Sequence, residues 1–269
     1  MQSAVEDANV SVLFAAAYCA VLWYNIDKEF AEQLFSQLAE RDLRILAAPF
    51  VWQIPWLCYS KKPDYYRDML MKAAKSAVTD LSTCALEVMV ALANEDNWMM
   101  DKLLSMPLDE VQADAVCRQA AEGFESEPFY ASSKMILNHM IDNHPSSIPQ
   151  MSVLLYRKTV QLHKDQDLLQ KLLLCKDRHA SRQALVFLCE ADGDVLNYVQ
   201  AISEFIKESA MTEYYYELKD LAAFVARLFH QGKDDLPTRR TCLDLWDDIF
   251  WYKPMAIKPL SDLMDQVEM

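Results

Sequence analysis

The chain has 269 residues, 52% of them apolar and 25% charged, with a formal net charge of −14. This composition excludes a disordered chain, and the length suffices for one large domain or two ordinary ones. The negative charge argues against a general nucleic-acid or anionic-membrane binder, because such proteins use patches of Lys and Arg.

Glycine is rare in this chain, with 3 residues where average usage would give about nineteen. β-Hairpins and phosphate-binding loops need glycine for positive φ angles and for close backbone approach, whereas helices do not. The composition therefore predicts an all-α fold.

Apolar residues recur at helical spacing along the whole chain. Two prolines, Pro49 and Pro55, should kink or split the third helix, and Gly123 is predicted to end the seventh. The segment from His144 to Pro149 is the clearest turn. The predicted helices span residues 5–24, 28–41, 43–59, 64–78, 79–94, 97–105, 108–123, 129–143, 150–162, 165–176, 178–191, 194–209 and 212–230, followed by a last helix and tail over 235–268.

The first predicted helix contains an uncharged run from Val12 to Tyr24. Thirteen residues fall short of the roughly twenty that span a bilayer, and the acidic flank at Glu6 and Asp7 does not fit a signal peptide. We therefore predict a buried helix and no membrane span. Such an apolar helix is unusual at the end of a helical stack. It indicates that a further segment precedes it, that it packs inside the fold, or that it forms a homo-oligomer with a second copy.

The 7 cysteines form no CxxC pair, and most lie inside apolar helical patterns. A cysteine in such a position behaves as a small buried hydrophobic residue. An odd number without paired spacing points to a reducing compartment, so we expect a cytoplasmic protein.

Successive predicted helices start about fifteen to twenty residues apart, so that helix pairs recur at roughly 35–40 residues. In this spacing the chain resembles helical-repeat proteins of the HEAT and armadillo kind, while the tetratricopeptide and ankyrin signatures are absent. The resemblance implies an irregular HEAT-like solenoid of about fourteen antiparallel helices. It would form a single domain over residues 1–269, with a candidate subdomain joint at 144–149.

The run RRTCLDLWDDIF at 239–250, followed by Leu260 to Leu263, is similar to the C-terminal ends of large bacterial ATP-binding proteins with helical-repeat tails. This resemblance implies a C-terminal helical region or a stand-alone relative of one. Nothing in the chain matches a P-loop, so no ATP site is carried over.

No stretch has the pattern of a catalytic, cofactor or metal site. His139 and His144 are five residues apart, which places them about 140° apart around a helix instead of on one face. Cys175 and His179 are separated by Asp177, which resembles a helix cap. The paired acidic residues resemble caps and solvated faces. We therefore predict no catalytic residue, no cofactor and no metal.

Clusters of aromatic residues are the strongest candidates for a binding surface, because Trp and Tyr are enriched at protein interfaces. The alternative is that they fill gaps between stacked helices. The predicted partner-binding residues are Trp52, Trp56, Tyr65, Tyr66, Tyr214, Tyr215, Trp246 and Trp251.

These features favour a non-enzymatic binding or scaffold module for a protein or peptide, and the acidic surface favours a basic partner. One alternative is the sensor region of a bacterial ATP-dependent defence or signalling protein. A lower-ranked one is an all-α enzyme whose site is assembled from distant helices. The nearest match to a DDxxD motif is DLWDD at 244–248, where the acids stand in reverse order.

Overall fold

A computed structural model describes residues 5, 9–48, 50–191, 193–209 and 218–252, and their side chains except at 206–209, 218–223 and 248–252. Within these residues the chain forms fourteen α-helices and four short 3₁₀ helices, and no strand. The prediction of an all-α fold is confirmed. None of the helices in this described part combines the length and apolar content needed to cross a bilayer.

The chain divides into two compact units, Met1–Met140 and Ile141–Met269. The division falls in the last turn of a helix, a few residues before the predicted joint at 144–149. At that joint the structure has a 3₁₀ helix, Pro145–Met151, where we predicted a turn. The prediction of a single domain stays a prediction.

The first unit contains seven helices and most of an eighth, in chain order. They are α1 Val10–Trp23, α2 Lys28–Arg41, α3 Gln53–Cys58, α4 Pro63–Ala74, α5 Thr79–Leu92, α6 Asn97–Ser105, α7 Glu110–Phe124 and α8 Tyr130–Asn143, with 3₁₀ helices at Leu43–Ala47 and Tyr59–Lys61.

The predicted helix over 43–59 is split, as its prolines suggested, although Pro49 itself lies outside the described residues. A 3₁₀ helix ends at Ala47, and α3 begins at Gln53 with Pro55 in its first turn, where proline is tolerated. Between them Phe50 has a φ of 66°, in the left-handed region that bulky residues rarely adopt. The chain direction therefore changes sharply before α3.

Aspartate side chains begin several of the helices. Asp27 accepts a hydrogen bond from the Phe30 N–H at the start of α2, and Asp177 accepts one from the Ala180 N–H. Asp109 and Gln112 form a reciprocal capping box at the start of α7. Each such cap satisfies a backbone N–H that the helix itself leaves without a partner.

The prediction that Gly123 ends a helix is wrong. The helix continues through Gly123 to Phe124, and the backbone of Gly123 has no positive φ. A Cβ atom at Gly123 would lie 2.6 Å from the Ser133 hydroxyl oxygen. The glycine therefore leaves room for the Ser133 hydroxyl beside α7 instead of stopping α7.

Helix α5 is the centre of the first unit. It packs against α4, α6, α7 and the 3₁₀ helix Leu43–Ala47. Its Leu86, Met89 and Leu92 are among the largest fully buried side chains. A helix surrounded in this way needs apolar residues on most of its surface, which the sequence of α5 supplies.

The second unit contains the end of α8 and six further helices. They are α9 Ser152–Tyr156, α10 Gln166–Leu173, α11 Arg178–Glu190, α12 Val199–Ser209, α13 Leu218–Gln231 and α14 Leu236–Tyr252, with 3₁₀ helices at Pro145–Met151 and Leu196–Tyr198. The predicted helix over 150–162 is thus much shorter than expected. It ends at Tyr156, just before Lys158, whose φ is 54°.

In both units, several helices pack on a sequence neighbour or on the next helix but one. Examples are α5 with α7 in the first unit and α11 with α13 in the second. This pattern is compatible with a helical-repeat fold.

Candidate functional site: an aromatic groove in the first unit

An open groove of about 460 Å³ lies among α3, α5, α7 and the start of α8. Its volume is in the range of small-molecule and side-chain binding sites. The wall is mostly apolar and aromatic, with Trp52, Trp56, Leu57, Val88, Ala91 and Phe129 as its main apolar residues.

The short helix α3 places two tryptophans on one side of the groove. The Trp56 N–H donates to the Trp52 carbonyl at 3.2 Å, so the two residues are one helical turn apart and share a face. The opposite face of α3 carries Ile54 and Cys58, which are fully buried. Burial of that face holds the tryptophan face toward the groove.

An aromatic pair between distant parts of the chain stabilises the wall. The ring centroids of Trp56 and Phe129 are 5.7 Å apart, with the rings tilted by 51°. This geometry is within the favourable range for aromatic pairs. Trp52 and Leu57 beside it are 40% and 48% exposed. The groove therefore presents apolar surface that the described part of the chain does not cover.

The ionisable groups at the groove are either paired or uncharged at neutral pH. Glu87 accepts a hydrogen bond from Arg118 at 2.7 Å, and this bond raises the pKa of Arg118. Burial raises the pKa of the Cys84 thiol, which therefore stays protonated. A protonated thiol is a poor nucleophile. This arrangement supports binding through apolar contact.

A second cluster of the first unit is built around Asp96, the N-cap of α6. Arg67 donates to both carboxylate oxygens of Asp96 at 2.8 Å, and the Tyr59 hydroxyl donates to the same carboxylate. The Trp98 N–H donates to it at 3.0 Å, and the Arg67 guanidinium lies 5.2 Å from the Trp98 ring centre.

These contacts shift the pKa values of Asp96 and Tyr59, which are both buried. The hydrogen bonds from Arg67 hold the pKa of Asp96 below its ordinary value. Burial, together with the bond to Asp96, raises the pKa of Tyr59 to about 12. The carboxylate is therefore charged and the phenol neutral at ordinary pH. A carboxylate that accepts four hydrogen bonds from three elements joins the 3₁₀ helix Tyr59–Lys61, α4 and α6.

The predicted partner-binding residues do not form one cluster in the structure. Trp52 and Trp56 come together in the groove. Tyr66 is fully buried in the core, so its assignment to a partner surface is wrong. Tyr65 is partly buried and packs edge-on against Tyr66, with centroids 5.2 Å apart. Trp246 is partly exposed on α14. The predictions for Tyr214, Tyr215 and the Trp251 side chain lie outside the described part of the chain.

Apart from Trp52 and Trp56, no residue of the groove wall was predicted from the sequence, including Leu57 and Phe129 beside Trp56. Leu57 directly follows Trp56 and has no aromatic ring to single it out. Phe129 lies in the turn before α8, although it was predicted to be the first residue of that helix. Its position after Pro128 marked a helix start but gave no sign of a contact with Trp56.

The histidine and cysteine patterns show no shared site in the described residues. Asp177 caps α11, so Cys175 lies outside the helix that contains His179, as expected. Burial raises the pKa of Cys175 to about 11. Among the residues that the structure describes, no group of three or more His, Cys, Asp or Glu side chains is placed to hold a metal ion.

No known protein family, curated protein or solved structure matches this chain. The resemblances to HEAT and armadillo proteins and to bacterial helical-repeat tails therefore stay resemblances.

Proposed function

We propose that this chain is a protein-binding module whose aromatic groove receives an amphipathic helical segment of a partner. The observation that carries the proposal is the pair of tryptophans, Trp52 and Trp56, in an open apolar groove. Apolar grooves of this kind take the apolar face of a helix, which presents side chains at i, i+3 and i+4. Tryptophan is also among the residues that contribute most to binding energy.

The backbone next to the groove supports this interpretation. Phe50 has a φ of 66° and its side chain is 54% exposed, two residues before Trp52. Such a backbone conformation costs on the order of 1–3 kcal/mol for a bulky residue, and strain of this kind concentrates at binding sites. An exposed aromatic residue at a strained position adds to the apolar surface at this end of α3.

Exposed acidic residues beside the groove indicate the class of partner. The exposed residues Glu122 and Glu127 lie in the segment that also supplies Gly123 and Phe129 to the wall. The whole chain carries a net charge of −14. We infer a partner helix with Lys or Arg on its polar face, since complementary charge raises association rate and specificity.

The packing of the helices is compatible with a helical-repeat architecture, which supports the same function. Several helices pack on the next but one, and a solenoid built in this way would offer extended surfaces for partner proteins. We infer that the chain belongs to this architectural class and that it acts by binding and not by catalysis.

The proposal is tested with two synthetic helical peptides that share one leucine- and methionine-rich face. One peptide carries lysine on its polar face, and the other carries glutamate. Fluorescence anisotropy with the full chain should show tighter binding of the lysine peptide, weakened by added salt. Trp52→Ala should weaken that binding by about tenfold or more, as removal of an interface hot spot does.

The matched control is Trp246→Ala, which removes a partly exposed tryptophan from the second unit. It should leave binding of the lysine peptide unchanged. Equal binding of both peptides would remove the basic partner from the proposal. A loss of binding in Trp246→Ala and not in Trp52→Ala would move the site away from the groove.

A further inference from the structure

Helix α1 is apolar on both of its faces and carries no charged residue. One face, with Leu13, Ala16, Ala17 and Ala20, is buried, and the helix packs on α2 and on the 3₁₀ helix Leu43–Ala47. A soluble helix on a surface is normally polar on the outer side, and a helix that is apolar all round is normally covered on all sides. The outer face of α1 is not covered by the described part of the chain.

The uncovered face continues beyond the helix into a patch of large apolar side chains. Tyr18 is 46% exposed, Leu22 56%, Trp23 39%, Ile26 74% and Phe30 37%. Trp23 and Phe30 support each other edge to face, with centroids 5.9 Å apart. Large side chains at about half exposure provide on the order of 500 Å² of apolar surface per chain. A pair that covered the whole patch on both copies would bury about 1,000 Å², which is near the lower limit of specific interfaces.

The order of residues along the outer face of α1 allows this face to pair with the same face of a second copy. The outer stripe consists of Ser11, Ala15, Tyr18 and Leu22, at the four-three-four spacing of helices that pack side by side. Small residues occupy its first half and large residues its second half. If a second α1 lies antiparallel, Ser11 meets Leu22 of the other copy and Ala15 meets Tyr18 of the other copy. Each large side chain thus faces a small one, in both directions.

The centre of this pairing coincides with the centre of the helix. Both residue pairs are symmetric about the midpoint between Ala16 and Ala17, which is also the midpoint of Val10–Trp23. A two-fold interface requires such symmetry, because the same surface must serve both copies. We propose that two copies of this chain form a symmetric dimer through antiparallel pairing of their α1 helices.

The lack of charge on this face lets a second copy approach despite the negative charge of the whole chain. Two chains of net charge −14 repel each other, and the residues from Asn9 to Ile26 carry no charge. Uncharged apolar surface is where such copies can approach at the lowest electrostatic cost. An anionic membrane surface would meet the same repulsion without the matching of small and large side chains. The dimer surface is separate from the aromatic groove, so the two proposals fail independently.

The test is the mass of the full chain in solution, measured by sedimentation from about 1 to about 100 µM, which brackets the micromolar Kd expected for a small interface. The mass should rise from 31.0 kDa toward twice that value. Leu22→Lys should weaken the dimer on the order of a hundredfold, since it removes a buried leucine from both ends of the interface. Val111→Lys, at a valine 54% exposed on α7, is the matched control and should dimerise as the unmodified chain does.

A swap of side chains tests the antiparallel register. Ala15→Tyr alone opposes two tyrosines and should abolish the dimer, and Tyr18→Ala alone should weaken it. The double variant restores one large and one small residue at each contact, so dimerisation should return. Both positions are exposed, and circular dichroism should show that each variant keeps the helical content of the unmodified chain.

Three results would overturn the proposal. The first is a mass of 31.0 kDa at every concentration. The second is a double variant that stays as monomeric as Ala15→Tyr, which contradicts the antiparallel register. The third is a monomer that floats with neutral phosphatidylcholine vesicles, and that loses this association in Leu22→Lys, which would assign the patch to a lipid surface.

Discussion

The aromatic groove and the Asp96 cluster take their aromatic residues from the same short stretch of chain, yet they use them in opposite ways. Trp52 and Trp56 present rings to an open groove, whereas Tyr59 is buried and donates its hydroxyl to Asp96. Tyr59 follows Trp52 by seven positions in the sequence. A cluster of aromatic residues in sequence is therefore not a cluster in space.

The two regions also differ in whether their side chains find partners within the chain. The carboxylate of Asp96 obtains all of its hydrogen bonds from the chain itself, from Tyr59, Arg67 and the Trp98 backbone. The apolar wall of the groove is left partly exposed to water. We expect changes in the first region to alter the stability of the fold and changes in the second to alter binding.

The largest effect is expected from Asp96→Ala. This change removes the carboxylate that joins Arg67 to the Tyr59 hydroxyl, and it removes the cap of α6, so it should lower the free energy of unfolding by about 3 kcal/mol. Asp27→Ala is the matched control, because Asp27 caps α2 without an arginine bound to its carboxylate. It should cost about 1 kcal/mol in the same urea titration. Equal losses for both variants would mean that the cluster contributes no more than a cap.

Acid should weaken the same cluster. The pKa of Asp96 is lower in the folded chain than in the unfolded one, because of the hydrogen bonds from Arg67. The stability that it contributes is therefore complete above the unfolded pKa of about 3.9 and is lost as the pH falls through the folded pKa. The difference in unfolding free energy between the unmodified chain and Asp96→Asn should be constant near neutral pH and shrink below about pH 4. A difference that grows on acidification would contradict this sign.

A smaller effect is expected at the base of the groove, from Gly123→Ala. The new methyl group would lie 2.6 Å from the Ser133 hydroxyl oxygen but at ordinary distances of 3.5 and 3.8 Å from the nearest carbons, so this buried hydroxyl must rotate. We expect a loss of no more than about 1 kcal/mol, because displacing a buried hydroxyl costs more than alanine gains in helix propensity. Adding Ser133→Ala removes the clash and should restore the melting temperature. A single variant more stable than the original chain would show that the approach is not tight.

The smallest effect on stability is expected from Trp52→Ala. This side chain is 40% exposed and its loss should change the free energy of unfolding by no more than about 0.5–1 kcal/mol. The same variant should lose peptide binding, so stability and binding separate at this residue. A loss as large as that of Asp96→Ala would make Trp52 part of the core.

Much of the fold could be predicted from local patterns. Helical spacing identified most helices to within a few residues, and Asp177 was recognised as a cap because Asp before an apolar-periodic run is a local signal. The burial of Tyr66 could also have been predicted from the sequence. It stands three, four and seven residues before Met69, Leu70 and Ala73, which are all buried on one face of α4.

The groove could not be predicted in the same way. It depends on the contact between Trp56 and Phe129, which are far apart in sequence and meet only when α3 lies beside the turn before α8. The role of Gly123 depends on the distance to Ser133 on another helix. Such contacts leave no periodic pattern, since they are set by how helices pack and not by which face of a helix is apolar.

The aspartate caps have a consequence for how the acidity of this chain should be interpreted. A share of its negative charge lies at helix starts, where it satisfies backbone N–H groups and interacts favourably with the helix dipole. An engineered variant of higher isoelectric point could exchange exposed acids elsewhere with little loss, but replacing these would loosen several helices together. The acids that must be kept are Asp27, Asp42, Asp96, Asp109 and Asp177.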